Sequence, residues 1–291
     1  MNEIIEYLLK TEKTAGDIYK DASVFFQHDK EFARFLSLIA EDEADHFDAI
    51  VSAEEYFVGN ADKVPAFISL NSTTKQKIER PFIEAKEKLS SGDLTKDAMI
   101  SCIVSVEFSE WNHIFLYFVN TLRGGSWEFQ RLAAMIQRHK ERIEAFLESL
   151  PDGHKHLEKV RQLPGVWQQR ILIIEDDAAI AELLSVILAR EGIVERAQDA
   201  EEGLRKTSKQ YFDIIISDFD MPVVSRMELY EQAARKDSSI GERFLLFTGH
   251  LTSENLAFFA KHNLRYMTKP AELNEIKIAV RDIMHGTSGR D

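Results

Sequence analysis

Ile214-Ile215-Ile216-Ser217-Asp218-Phe219-Asp220-Met221-Pro222 decides the fold of the C-terminal half. Three consecutive isoleucines behind Phe212 predict a strand buried on both faces, as in a parallel sheet. The strand ends on a carboxylate, Asp218, with a turn signal at Met221-Pro222. Three further strands end on reactive side chains. Arg170-Ile171-Leu172-Ile173-Ile174 runs into Glu175-Asp176-Asp177, Phe244-Leu245-Leu246-Phe247 into Thr248-Gly249, and Leu264-Arg265-Tyr266-Met267 into Thr268-Lys269-Pro270. In open α/β sheets the chemistry gathers outside the carboxyl ends of the strands. Acids, hydroxyl and amine therefore share one edge of a parallel sheet.

This set of strand ends, over residues 169–288, resembles the receiver domain of two-component response regulators. The resemblance implies a doubly wound, flavodoxin-like sheet of five parallel strands, and phosphoryl transfer from a histidine kinase or phosphotransfer protein onto Asp218. It also implies Mg²⁺ held by Glu175, Asp176, Asp218 and the backbone carbonyl of Asp220. Thr248 corresponds to the switch hydroxyl, Tyr266 to the switch aromatic, and Lys269 to the lysine that meets the phosphoryl group. A hard dication takes oxygen ligands, and phosphoryl transfer needs positioning and charge neutralisation. The chain departs from the usual pattern after Met221-Pro222, where Val223-Val224-Ser225-Arg226 replaces Gly-Met-Asp/Asn-Gly. Without a glycine free to take positive φ, a rebuilt loop is expected there.

The 291 residues allow two domains. A net charge of −13 argues against a nucleic-acid partner. The receiver's last helix is expected from Glu272 to about His285, with no DNA-binding output after it. The single cysteine, Cys102, fits a reducing compartment. No secretory signal opens the chain, and its most apolar run, Ile114 to Val119, is too short to span a bilayer. A cytoplasmic protein without membrane attachment is expected. Pro151-Asp152-Gly153 and Pro164-Gly165 mark a connector over 151–168, helical from Leu157 to Leu163.

Residues 1–150 carry helical periodicity throughout. The first seam is Leu8, Glu12, Ala15, Tyr19, Ala22 and Phe26. The second, N-capped by Asp29, is Leu36, Ile39, Glu43, His46, Ile50, Ala53 and Phe57. A crossover of about 35 residues follows, Gly59 to Asp93, broken by Pro65 and Pro81. A third seam runs Ile100, Ile103, Glu107, Glu110, Ile114, Tyr117. A fourth, after Gly124-Gly125 and a Ser126 cap, runs Leu132, Ile136, His139, Ile143, Phe146, Leu150. Two helical hairpins and one long crossover predict a ferritin-like four-helix bundle.

Glu12, Glu43, His46, Glu107, Glu110 and His139 interrupt these apolar seams. With reversals near Gln27-His28 and Gly124-Gly125, Glu12 lies level with Glu43, and Glu110 with His139. Four carboxylates in one dry layer repel and are costly to desolvate. A metal centre relieves this, and carboxylate with imidazole suits iron or manganese. The alternative is a metal-free bundle in which Arg142 and bound protons neutralise the acids.

These residues resemble the rubrerythrin branch of the ferritin-like family. Glu12 with Tyr19, then Glu43-Ala44-Asp45-His46, matches its first half-motif, and Glu107-Phe108-Ser109-Glu110 its third-helix pair. Where the family has a second Glu-x-x-His, this chain reads Ile136-Gln137-Arg138-His139. The resemblance implies a centre of one or two iron or manganese ions. It leaves open whether the second ion is absent, weakly held or completed by a borrowed ligand. The expected function is a response regulator whose bundle senses or reports metal, oxygen or peroxide. The rivals are a receiver-regulated peroxidase or ferroxidase and a metal-free interaction module; one cysteine cannot build the rubredoxin-type site of most rubrerythrins. Homodimerisation through the helical bundle is open to such a chain.

Overall fold

The computed structural model describes residues 2–59, 72–107, 127–162, 165–220 and 226–284. The chain divides into two compact units, Met1–Val166 and Trp167–Asp291. Among the described residues, no helix is long and apolar enough to cross a membrane.

The C-terminal unit contains β1 (Arg170–Ile174), β2 (Ile193–Ala197), β3 (Ile214–Asp218), β4 (Phe244–Thr248) and β5 (Arg265–Thr268). All pair in parallel, in the order β2-β1-β3-β4-β5. Strand side chains alternate, so one face buries Leu172, Ile174, Ile215, Phe244 and Leu246. The other buries Ile171, Ile173, Ile214, Ile216, Leu245 and Phe247. Five helices connect or follow the strands. Here the first helix of the chain is α1, so these are α7 (Ala178–Leu188), α8 (Ala200–Lys209), α9 (Arg226–Lys236), α10 (Ser253–His262) and α11 (Leu273–Met284). Side chains fix three of their starts: Asp177, Asp199 and Thr252 each accept from backbone N–H groups of the first turn. Gly203 lets α8 lie against the sheet, because a Cβ there would come within 2.5 Å of Ile174 Cδ1.

The N-terminal unit is helical. It comprises α1 (Asn2–Phe25), α2 (Lys30–Gly59), α3 (Ser72–Ser91), α4 (Lys96–Glu107), α5 (Trp127–Ser149) and α6 (His154–Arg161). Asp29 caps α2 through the Phe32 N–H at 3.1 Å. The seam residues Leu8, Tyr19, Leu36, Ile39, Leu132 and Ile143 are buried. Phe35 stacks on Phe146 with centroids 3.8 Å apart, joining α2 to α5. Gly16 allows α1 close to α2, since a Cβ there would lie 3.3 Å from Glu43 Cβ.

Two expectations need correction. The crossover is not broken at Pro81, which sits inside α3. Proline removes one helical hydrogen bond, but burial of Ile78, Phe82 and Ala85 on one face outweighs that local cost. The helix expected over Leu157–Leu163, within the connector, is displaced, and the division between the units falls at Val166. The observed helix, α6, begins three residues earlier than expected and buries Val160. Lys155 and Arg161 pair with Asp97 and Glu148, and the Val166 N–H donates to Gln137 Oε1 at 3.1 Å.

The 3₁₀ turn before β4 holds a buried ion pair. Arg243 donates to Asp237 and to the Phe212 carbonyl, and both ionic side chains are nearly inaccessible. Arg243→Met strands the Asp237 charge and is expected to lower the unit's stability by ~3–5 kcal/mol. Adding Asp237→Asn, which removes the second charge, should recover most of the loss in chemical denaturation.

Candidate cation and phosphoryl sites

At the C-terminal edge of the sheet, register brings the acids together. Ile174 pairs with Ser217, so the residues just past β1 lie beside the end of β3. Glu175, Asp176 and Asp218 each offer an oxygen within 4.8 Å of the others. Glu175 and Asp218 are buried and Asp176 is exposed. This all-oxygen set, open to water on one side, fits a hydrated Mg²⁺. Lys269 Nζ lies 3.1 Å from both Glu175 Oε2 and Asp218 Oδ1. Burial raises the Glu175 carboxyl, Lys269 opposes this, and Asp218 adds to it. Burial would lower the Lys269 ammonium, but its two carboxylate partners raise it overall.

Thr248 is fully buried at the end of β4. Asp220 sends its carboxylate toward Thr248 and Gly249, so its side chain lies outside the acid triad. Tyr266 is 42% exposed, with its ring 5.1 Å from that of Phe259. Residues 221–225, which hold the sequence departure except Arg226, lie outside the described residues.

The helical unit gathers a second cluster. Glu12, Glu43 and His46 form one triad and Glu43, Glu107 and His139 another, with Glu43 in both. His46 Nδ1 lies 3.3 Å from Glu12 Oε2 and 3.4 Å from Glu43 Oε2. His139 Nε2 lies 3.3 Å from Glu43 Oε1 and 3.4 Å from Glu107 Oε2. The Tyr19 hydroxyl donates to Glu107 Oε1 at 2.6 Å. Five of the six seam residues named above therefore meet. The sixth, Glu110, lies outside the described residues.

Asp42 joins them without having been anticipated. Its Oδ2 stands 3.2 Å from His139 Nδ1 and 3.0 Å from Arg142 Nε. A carboxylate on the far nitrogen of a ligating histidine fixes its tautomer and ring orientation. The carboxylate that Arg142 meets is thus Asp42, outside the two triads.

Burial, with Glu107 and Glu12 adding, holds the Glu43 carboxyl well above its ordinary range. Burial also raises Glu12, but hydrogen bonds with Glu43 and His46 bring it below its usual value. Burial would lower His139, yet Glu43, Asp42 and Glu107 carry it to about 10. Burial and neighbouring charge thus favour the protonated forms of Glu43 and His139. Glu43 Oε1, His46 Nε2 and His139 Nε2 are nonetheless buried without a hydrogen-bond partner. Such orphaned atoms are costly. Glu43 Oε1 and His139 Nε2 are ligand-type atoms 3.3 Å apart, so the residues fit a carboxylate–imidazole metal centre.

Residues 171–281 match the family described as "Response regulator receiver domain". Response regulator ArlR of Staphylococcus aureus is 26% identical over 124 residues, covering 42% of this chain and 55% of ArlR. The chain thus spans about half the length of the curated relatives it matches. A CheY-like receiver domain protein from Methanospirillum hungatei JF-1 is 29% identical, with 41% of this chain and 96% of that chain covered at a TM-score of 0.39. TrrA of Thermotoga maritima, solved with Mg²⁺-BeF, is 27% identical, with 40% and 98% covered at 0.35. The family match falls on the five-stranded unit whose strand ends collect the acids and the lysine, and this C-terminal unit is a response regulator receiver domain.

Proposed function

We propose that the chain is a two-component response regulator phosphorylated on Asp218, with a ferritin-like, metal-binding helical domain that senses or reports metal, oxygen or peroxide. The observation that carries the first part is Lys269, held 3.1 Å from both Asp218 and Glu175. Asp218 has the placement of a nucleophile: one oxygen faces the ammonium and the other is left to attack phosphorus. In transfer from a phosphohistidine, a new bond forms between an Asp218 oxygen and phosphorus, while the phosphorus–nitrogen bond breaks and its electrons return to the imidazole. Glu175, Asp176, Asp218 and the Asp220 carbonyl would hold Mg²⁺, which when bound neutralises charge on the transferring group. Lys269 supplies further positive charge. Thr248 and Tyr266 are the residues through which the change would be read.

The second part rests on Glu43 being common to two carboxylate–histidine triads. A shared central carboxylate is what a pair of adjacent cations requires. Glu12 and His46 would hold one ion, and Glu107 and His139 the other. The resident ions would supply the redox or coordination change that is sensed. Asp42 and Tyr19 orient His139 and Glu107 from outside.

Asp218→Asn should abolish Mg²⁺-dependent labelling by acetyl phosphate, because an amide cannot form the acyl phosphate. Asp176→Ala should weaken labelling strongly. Undiminished labelling of the Asp218 variant would remove it as the acceptor.

Anaerobically purified protein should contain iron or manganese, and Glu43→Ala should lose it. Asp42→Ala should lower metal affinity by ~10–100-fold, the usual effect of removing such a support. Wild-type protein should gain ~2.7 kcal/mol of stability at a free metal concentration about a hundred times Kd. A protein that holds no transition metal, and is not stabilised by any, would rule the metal centre out.

A further inference from the structure

Asp220, two residues beyond the phosphoacceptor, makes contacts that the phosphorylation chemistry above does not use. Its Oδ1 lies 3.2 Å from Thr248 Oγ1, which donates to it. Its Oδ2 accepts the backbone N–H of Gly249. The backbone N–H of Asp220 meanwhile donates to Asp218 Oδ1 at 2.9 Å. Residue 220 therefore touches the acceptor with its amide and the end of β4 with its carboxylate. The approach is close: a Cβ at Gly249 would lie 3.3 Å from Asp220 Oδ2.

Register makes these donors the ones a phosphoryl group would meet. Asp218 pairs with Phe247, and the Phe219 N–H donates to the Phe247 carbonyl at 2.6 Å. Thr248 and Gly249 thus follow immediately past the acceptor on the neighbouring strand. An oxygen added to Asp218 needs donors on that side, because Lys269 reaches it from β5. The Thr248 hydroxyl has one proton to give. It lies within reach of Asp220 Oδ1 and also of the His250 carbonyl at 3.0 Å. A phosphoryl oxygen and the Asp220 carboxylate, both anionic, cannot share this hydroxyl and amide. One must leave.

We propose that Asp220 is an internal competitor of the phosphoryl group: in the unphosphorylated protein its carboxylate holds the Thr248 hydroxyl and Gly249 amide that a phosphoryl oxygen on Asp218 would otherwise take. It acts as a positioning residue that sets how readily the phosphorylated state forms. The inference rests on the phosphoacceptor role of Asp218 proposed above. It also explains a use for an acid so close to three others. Its charge is partnered by an amide and a hydroxyl, and is released as those donors are claimed.

The test is a beryllofluoride titration of the full chain with Mg²⁺. Wild type, Asp220→Asn and Asp220→Ala are compared, each also in a Thr248→Val background. Both Asp220 variants should bind about tenfold more tightly than wild type, the factor one charge-assisted hydrogen bond is worth. With Thr248→Val much of that gain should disappear, since one contested donor is gone. In wild type the Gly249 amide proton resonance should shift on saturation, as its carboxylate partner is exchanged for the fluoride of the analogue. Equal or weaker binding by both variants would overturn the competitor role while leaving Asp218 as acceptor. So would an equal gain in both Thr248 backgrounds, which marks a general effect of removing negative charge. Absence of binding by every protein would overturn the acceptor role and this inference with it.

Discussion

Carboxylates taken out of water need a counter-charge, and both units of this chain are arranged around that constraint. Desolvating a carboxylate is costly unless a cation, a proton or strong donors replace the lost water. In the receiver the acids stand at a strand edge, where solvent reaches Asp176 and Lys269 compensates Glu175 and Asp218. In the helical unit no lysine enters the layer among the described residues. Two histidines, the Glu43 carboxyl, whose protonated form burial favours, and the Tyr19 hydroxyl share the task. The first arrangement suits a hydrated dication that comes and goes with a phosphoryl group. The second suits ions held in a closed layer.

How much of this was legible in the sequence depends on how each contact is specified. Strand register follows from a period of two, so Ile214–Ser217 and Arg170–Ile174 were enough to place Asp218 beside Glu175. Thr248 and Lys269 followed by the same rule, because each ends a parallel strand. The direction of the Asp220 side chain did not follow, since it is set by a turn outside the strand pattern. Helical seams were legible too: Glu12, Glu43, His46, Glu107 and His139 meet as their spacing implied. Asp42 was not, because it flanks the seam and reaches His139 only through the rotation of one helix against another. That rotation is decided by packing, such as Phe35 on Phe146 and Gly16 against Glu43.

One break signal was obeyed and one was not. Pro151-Asp152-Gly153 forms the turn between α5 and α6, as its composition implied. Pro81 carries a similar signal, but burial of Ile78, Phe82 and Ala85 in α3 overrides it. An internal proline costs ~3 kcal/mol, whereas each fully buried aliphatic or aromatic side chain is worth ~1.5–3 kcal/mol, so two such residues offset it. Ile136 is a buried apolar residue one turn from His139, and the imidazole that α5 brings to the cluster is His139, hydrogen-bonded by Asp42.

The central claim is that Glu43 joins two metal positions within the helical layer. Electron paramagnetic resonance of apo-protein titrated with Mn²⁺ tests it most directly. Two triads sharing one carboxylate predict binding that continues to two ions per chain, with an exchange-coupled spectrum emerging as the second enters. Glu43→Gln should leave only the six-line signal of isolated ions. A wild-type protein that binds no Mn²⁺, or shows the isolated signal at every ratio, would contradict the shared centre.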